Sequence, residues 1–123
     1  TKNVMEDALW MAQTGWREVI RGFRQAGGRI LGICGGYQLM GRRVMDPYGV
    51  ESDQGETEGL DILPVETVLG PEKVVREVTG TCIAEKVGIA GYEIHMGETY
   101  ILEDMGRPFL KIHELGREGE SWS

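Results

Sequence analysis

Two cysteines, two histidines and four prolines in 123 residues leave few options for several common architectures. Cys34 and Cys82 form no C-x-x-C and are too few for a disulfide scaffold, so a reducing cytoplasm fits best. His113 is followed by Glu114, but Arg117 stands where H-E-x-x-H needs its second histidine, and no zinc site follows. The carboxylate-rich stretch 46–59 lacks the D-x-D/N-x-D/N-G of a calcium loop. No G-x-x-x-x-G-K-S/T phosphate loop occurs either, so neither a metal nor a nucleotide site is expected in these residues. No apolar run approaches the roughly 20 residues of a membrane-spanning helix, and no signal peptide opens the chain. Basic residues are in deficit. Thirteen Lys and Arg against twenty Asp and Glu leave a net charge of −7, which argues against nucleic acid or an anionic membrane as the main partner.

What remains is a soluble globular chain, 41% hydrophobic and 27% charged, of one domain or less. Thr1 in place of an initiator Met, and the open Gly-Glu-Ser-Trp-Ser ending, suggest a piece cut at both ends. Met5, Leu9, Ala12, Trp16, Val19 and Phe23 recur at spacings of three and four, predicting one continuous helix with an apolar stripe. Asn3 and Glu6 resemble a capping box, and Gly27-Gly28 supplies the stop. Ile30, Leu31 and Ile33 then read as a buried strand, so helix, glycine turn and strand make half of an α/β unit. Arg42-Arg43 are expected at the end of a short following helix, complementing its negative pole. Residues 46–59 are expected to be a solvated, mobile connection. From Leu60 the texture turns β, with runs at 62–69, 73–78, 81–84, 92–96, 99–102 and 109–115. Gly80, Gly88, Gly91, Gly97 and Gly106 are read as turns between them. The expected architecture is a parallel α/β core whose second half carries an antiparallel extension.

Residues 29–41 carry the most chemistry. The apolar run stops at Cys34, a glycine pair follows, and Tyr37 to Met40 open a short amphipathic helix. A cysteine on so sharp a strand-to-helix bend is a nucleophile elbow with sulfur in place of oxygen. Gly32 and Gly36 flank it where side chains are expected to collide across the bend. The amides of the new helix and its dipole favour the thiolate, the form that attacks carbonyls. The plainer alternative is a buried structural cysteine before a glycine-rich turn. Cys82, inside an apolar β run, is expected to be inert core.

His95 closes the strand-like stretch Gly91-Tyr92-Glu93-Ile94-His95-Met96-Gly97. By alternation Tyr92, Ile94 and Met96 share one face, and Glu93 and His95 the other. A Glu and a His so placed fit either the base and orienter of a thiol or a hydrogen-bonded structural pair.

Gly32-Ile33-Cys34-Gly35-Gly36-Tyr37-Gln38 resembles the G-x-C-x-G-x-Q motif of class I (triad) glutamine amidotransferases. Gln38-Leu39-Met40-Gly41, Gly59-Leu60-Asp61-Ile62-Leu63-Pro64-Val65-Glu66-Thr67 and residues 91–97 narrow the likeness to the C-terminal glutaminase domain of the cobyric acid synthase family. Thr1-Lys2-Asn3 is similar to the tail of that family's Pro-Gly-Ser/Thr-Lys-Asn loop. The resemblance runs nearly end to end and implies a flavodoxin-like core, one partial glutaminase domain over residues 1–123. It implies Cys34 as nucleophile, the Gly35 N–H as oxyanion donor, and Gln38 and Tyr37 at a glutamine pocket that Tyr92, His95 and Gly97 also border. It further implies an N-terminal synthetase domain, absent from these residues. That domain uses ATP and Mg to amidate carboxylates of adenosylcobyrinic acid a,c-diamide, while the glutaminase portion needs no cofactor.

Two departures qualify the likeness. The family's base histidine lies in a Gly-Thr-Tyr-x-His-Gly segment that these residues do not contain, so neither His95 nor His113 inherits that role. The loop expected to give the second oxyanion donor is cut at Thr1. The rival readings are a glutaminase-like module that docks without turnover and a related amidotransferase, either cobyrinic acid a,c-diamide synthase or a cell-wall glutaminase subunit. An unrelated cysteine hydrolase with the same elbow is the third.

Overall fold

The structure, a computed structural model, describes residues 2–104 and 108–114, the last without its side chain. These fall into two compact units, residues 2–73 with 96–104 and residues 74–95 with 108–114. The expectations placed on Thr1, Gly106 and Leu115 lie outside the described residues.

The first unit opens with α1 (Val4–Thr14) and α2 (Trp16–Gln25). The expected single helix is broken at Gly15, whose φ of +83° ends α1 in the left-handed region that glycine enters without strain. The apolar stripe is therefore divided. Val4, Met5 and Ala8 are buried, whereas Trp16, Val19 and Phe23 are all at least half exposed. Three- and four-residue spacing records a helical face but is blind to a left-handed residue that re-aims the next helix. Asn3 caps α1 as expected, its Oδ1 accepting from the Glu6 N–H at 3.0 Å. Gly27, at φ +93°, ends α2, with its N–H on the Arg24 carbonyl and that of Gly28 on Phe23.

One further expectation fails and another holds only in part. Residues 29–33 join no ladder among the described residues, and Leu31 and Ile33 are about three-quarters exposed. An apolar run becomes a strand only where another backbone pairs with it. Residues 46–55 are solvated as expected at 47–49 and 53–55, which are exposed, but the loop is built around a buried acid. The Asp46 carboxylate, 2% exposed, accepts from the N–H groups of Val50, Glu51 and Ser52 at 2.8 to 3.0 Å. Glu51 in turn reaches α1, where its Oε2 accepts from Val4 N at 2.7 Å and Met5 N at 3.2 Å. A carboxylate there satisfies two orphan donors and opposes the positive end of the helix.

The strands are β1 (Arg43–Met45), β2 (Glu56–Glu58), β3 (Val65–Cys82), β4 (Val87–Ile101) and β5 (Leu110–Glu114). Their order is β2-β1-β3-β4, with β5 also on β3. β1 runs parallel to β3, Val44 opposite Thr67, and antiparallel to β2. Parallel pairing is thus present, in a mixed α/β arrangement. The core joins α1 to these strands, with Val4, Met5, Ala8, Leu39, Val44 and Leu69 in one cluster.

Of the short runs expected after Leu60, that at 109–115 is β5, whereas those between 62 and 84 fall largely into β3 and those between 92 and 102 into β4, two long strands. β3 passes through Gly70, Pro71 and Gly80, and β4 through Gly88, Gly91 and Gly97, so these glycines are not turns. Gly97 serves close approach: a Cβ there would strike the Val68 carbonyl and come within 2.8 Å of the Leu69 Cα. In the second unit β5 lies antiparallel on β3, Gly80 opposite Ile112. Val78 and Cys82 supply its buried hydrophobics among the described residues.

Candidate active site

A short helix, α3 (Gly35–Leu39), begins directly after Cys34. Cys34 itself has φ 54° and ψ −117°, a conformation costly for a residue with a side chain. The bend closes through Gly36 N on the Ile33 carbonyl at 2.9 Å, and through Tyr37 N and Gln38 N on the Cys34 carbonyl. The Cys34 side chain is exposed. Gly35 is buried, and its N–H, first of the helix, is committed to no carbonyl among the described residues.

Gly32 meets the steric expectation. A Cβ there would clash with Met40 Sδ and lie 2.8 Å from the backbone of Tyr37. Gly36 does not. Its Cβ position looks into open space, so nothing across the bend demands a glycine there.

The far end of α3 is held by backbone donors from the stretch 60–63. Leu60 N bonds the Leu39 carbonyl at 2.7 Å, Asp61 N that of Gly41, and Ile62 and Leu63 N that of Met40. These satisfy orphan carbonyls at the helix end, where Arg42 and Arg43 were expected as charges complementing the negative pole. Arg42 instead pairs with Glu103 and Asp61, and Arg43 lies on β1 against Glu66 and Glu56. The Gly59-Leu60-Asp61-Ile62-Leu63 run of the sequence thus earns its place by seating the helix that follows Cys34. Gly41 and Gly59 make that seat possible, since a Cβ on either would run into backbone oxygen.

Gln38 is 8% exposed and its Nε2 donates to the Met96 carbonyl at 3.1 Å. Gln38 is thereby brought to the Met96–Gly97 stretch of β4, inside the first unit. Tyr37 beside it is half-buried. Sequence reasoning did not find the Met96 carbonyl, because a backbone acceptor carries no residue signature.

Tyr92 and His95 belong to the second unit. Tyr92 is exposed, and the predicted alternation holds: Glu93 and His95 share a face, His95 Nε2 lying 2.7 Å from Glu93 Oε1. Arg76 Nε donates to the other oxygen of Glu93 at 2.6 Å. The Arg76 bond holds the Glu93 carboxyl below the usual carboxylate range, the His95 bond acts the same way, and partial burial opposes both. Cys82 is buried, its Sγ 2.6 Å from Glu85 Oε2.

A thiol on a strained bend at the start of a helix, with an adjacent N–H committed to no carbonyl among the described residues, suits nucleophilic attack on a carbonyl. The chain belongs to the CobB/CobQ-like glutamine amidotransferase domain family, which it matches over residues 1–122. Among curated proteins it is similar to the cobyric acid synthase of Chlorobium phaeobacteroides, 52% identical over 80% of this chain and 20% of that protein. It is also similar to the cobyric acid synthases of Chlorobaculum tepidum, 46% identical over 93% of this chain and 23% of the relative, and of Brucella canis, 43% identical over 91% and 23%. The chain thus spans about a fifth of the length of these relatives. Among the described residues no helix is long and apolar enough to cross a membrane.

Proposed function

We propose that this chain is the glutaminase portion of a cobyric acid synthase, built on a flavodoxin-like core. It hydrolyses glutamine and supplies ammonia to a synthetase domain elsewhere in the full-length protein. That partner binds ATP and Mg and amidates carboxylates of adenosylcobyrinic acid a,c-diamide in cobalamin biosynthesis. The observation that carries the reading is the backbone of Cys34, at φ 54° and ψ −117° at the start of α3, with Gly32 packed against Met40 and Tyr37.

In this reading the Cys34 thiolate adds to the side-chain amide carbon of glutamine, and the bend acts as a nucleophile elbow. The Gly35 N–H donates to the oxyanion, a contribution on the order of 3 kcal/mol for one such donor. Ammonia leaves on protonation, and water hydrolyses the remaining thioester to glutamate, returning the thiol. Proton transfer at both steps suits a histidine. No histidine of this chain is assigned that role. The family's base belongs to a segment that these residues do not contain.

The test is Cys34→Ala in the full-length protein. Glutamine-dependent amidation is expected to fall by several orders of magnitude, while synthesis with added ammonium salt continues. Equal loss of both activities would make Cys34 structural, or shared by the two reactions.

A further inference from the structure

We propose that the apolar face formed by Val75, Tyr92 and Ile94 docks the synthetase portion of the full-length protein. This inference rests on the glutaminase reading above, which supplies the partner. Among the described residues the second unit holds only strand and the turn at 83–86, a single layer without a helix. Its two faces differ. Arg76 bonds Glu93, so by alternation Val78, Gly80 and Cys82 follow Arg76 onto the face of Glu93 and His95. There Val78 and Cys82 are buried, and a Cβ on Gly80 would lie 3.3 Å from the Ile89 side chain. Val75, Tyr92 and Ile94 turn the other way and are between about half and three-quarters exposed. A one-layer sheet has no second layer to lay over such a face. An aromatic ring with two β-branched neighbours is the make-up of a contact surface. Glu77 lies beside this strip and Lys111 beyond it, opposite Thr81, so the apolar centre has a polar rim of both signs.

Size and charge choose the occupant. Three such side chains offer on the order of 300 Å² of apolar surface, short of the ~800 Å² per partner that holds separate proteins together. A second copy would gain too little from so small a patch. A linked partner needs far less, because the tether keeps it at a roughly millimolar effective concentration. The relatives carry the chain for one: about four-fifths of each cobyric acid synthase lies outside the stretch matched here. An anionic membrane is disfavoured by the net charge of −7. Tyr92 then serves the partner instead of the glutamine pocket that its motif implies.

The experiment uses the full-length protein with Tyr92 replaced by the photo-crosslinker benzoylphenylalanine, irradiated and mapped by peptide mass spectrometry. Crosslinks within one chain to peptides of the synthetase portion are expected as the main product. A covalent dimer as the main product makes the face a contact between copies and overturns the proposal. Crosslinks confined to the glutaminase portion, or reaction with solvent alone, overturn it too. Val75→Glu gives an independent readout, the glutamate released per amide formed. A charge set into the apolar strip is expected to raise that ratio at least about threefold, because ammonia then escapes to water. Synthesis with added ammonium salt should stay within about twofold of the parent. An unchanged ratio, or equal loss of ammonium-dependent synthesis, overturns the proposal. Cys34→Ala, run alongside, tests the reading beneath it: a variant that still uses glutamine removes the glutaminase assignment, whatever Tyr92 meets.

Discussion

Cys34 and Cys82 differ in exposure and in their place in the fold. The first is exposed at the start of a helix; the second is 8% exposed and set against Glu85. Iodoacetamide should therefore modify Cys34 at least about tenfold faster than Cys82 in the folded chain, read by peptide mass mapping. Equal rates, or Cys82 first, would remove the elbow. The two flanking glycines give a second contrast. Gly32→Ala forces a methyl into Met40 and the Tyr37 backbone and should cost about 1–3 kcal/mol by chemical denaturation. Gly36→Ala enters open space inside α3 and should be neutral or stabilise by up to about 1 kcal/mol. At this scale the motif made Cys34 legible. The differing demands on Gly32 and Gly36 were not, because a sequence position does not say what lies opposite its Cβ.

Among the elements, the loop 46–55 departs furthest from expectation, and one buried carboxylate accounts for its order. Burial pushes the Asp46 carboxyl up, but the donors of Glu51, Val50 and Ser52 together outweigh it and hold the group below its ordinary value. In acid the unfolded chain therefore takes up this proton first. The contribution is complete above the ordinary carboxylate pKa of about 4 and is lost as pH falls through the lower folded value. Asp46→Asn should cost about 1–3 kcal/mol near neutral pH and flatten the acid limb of a stability profile. An unchanged acid limb would mean that Asp46 is not linked to folding. Composition marked 46–59 as polar and hence solvated, yet two of its carboxylates, Asp46 and Glu51, become structural because backbone donors meet them. The helix break at Gly15 escaped notice for a related reason, since an isolated glycine within a periodic pattern reads as tolerated.

For the molecule as a whole, the buried apolar residues are unevenly divided. Nine, from Val4 to Leu69, lie in the first unit, against Val78 and Cys82 in the second, among the described residues. Amide exchange should accordingly be slowest in α1, β1 and the first part of β3, and faster by at least about tenfold in β5 and the residues of β3 and β4 beside it. Uniform protection would contradict that division. The sequence by itself determined the Asn3 cap, the end of α2, the Cys34 bend, the shared face of Glu93 and His95, and the family. The local features rest on residues close together in the chain, where local geometry and residue type suffice, and the family rests on motifs spread from residue 1 to residue 97. Tertiary structure alone decided that β3 and β4 run unbroken past their glycines and that Leu31 and Ile33 stay exposed. It alone also joined Glu51 to α1, residues 59–63 to α3, and Gln38 to the Met96 carbonyl. Those outcomes depend on which backbone groups meet across 20 to 60 residues of chain, and spacing within one segment carries no record of a partner so far away.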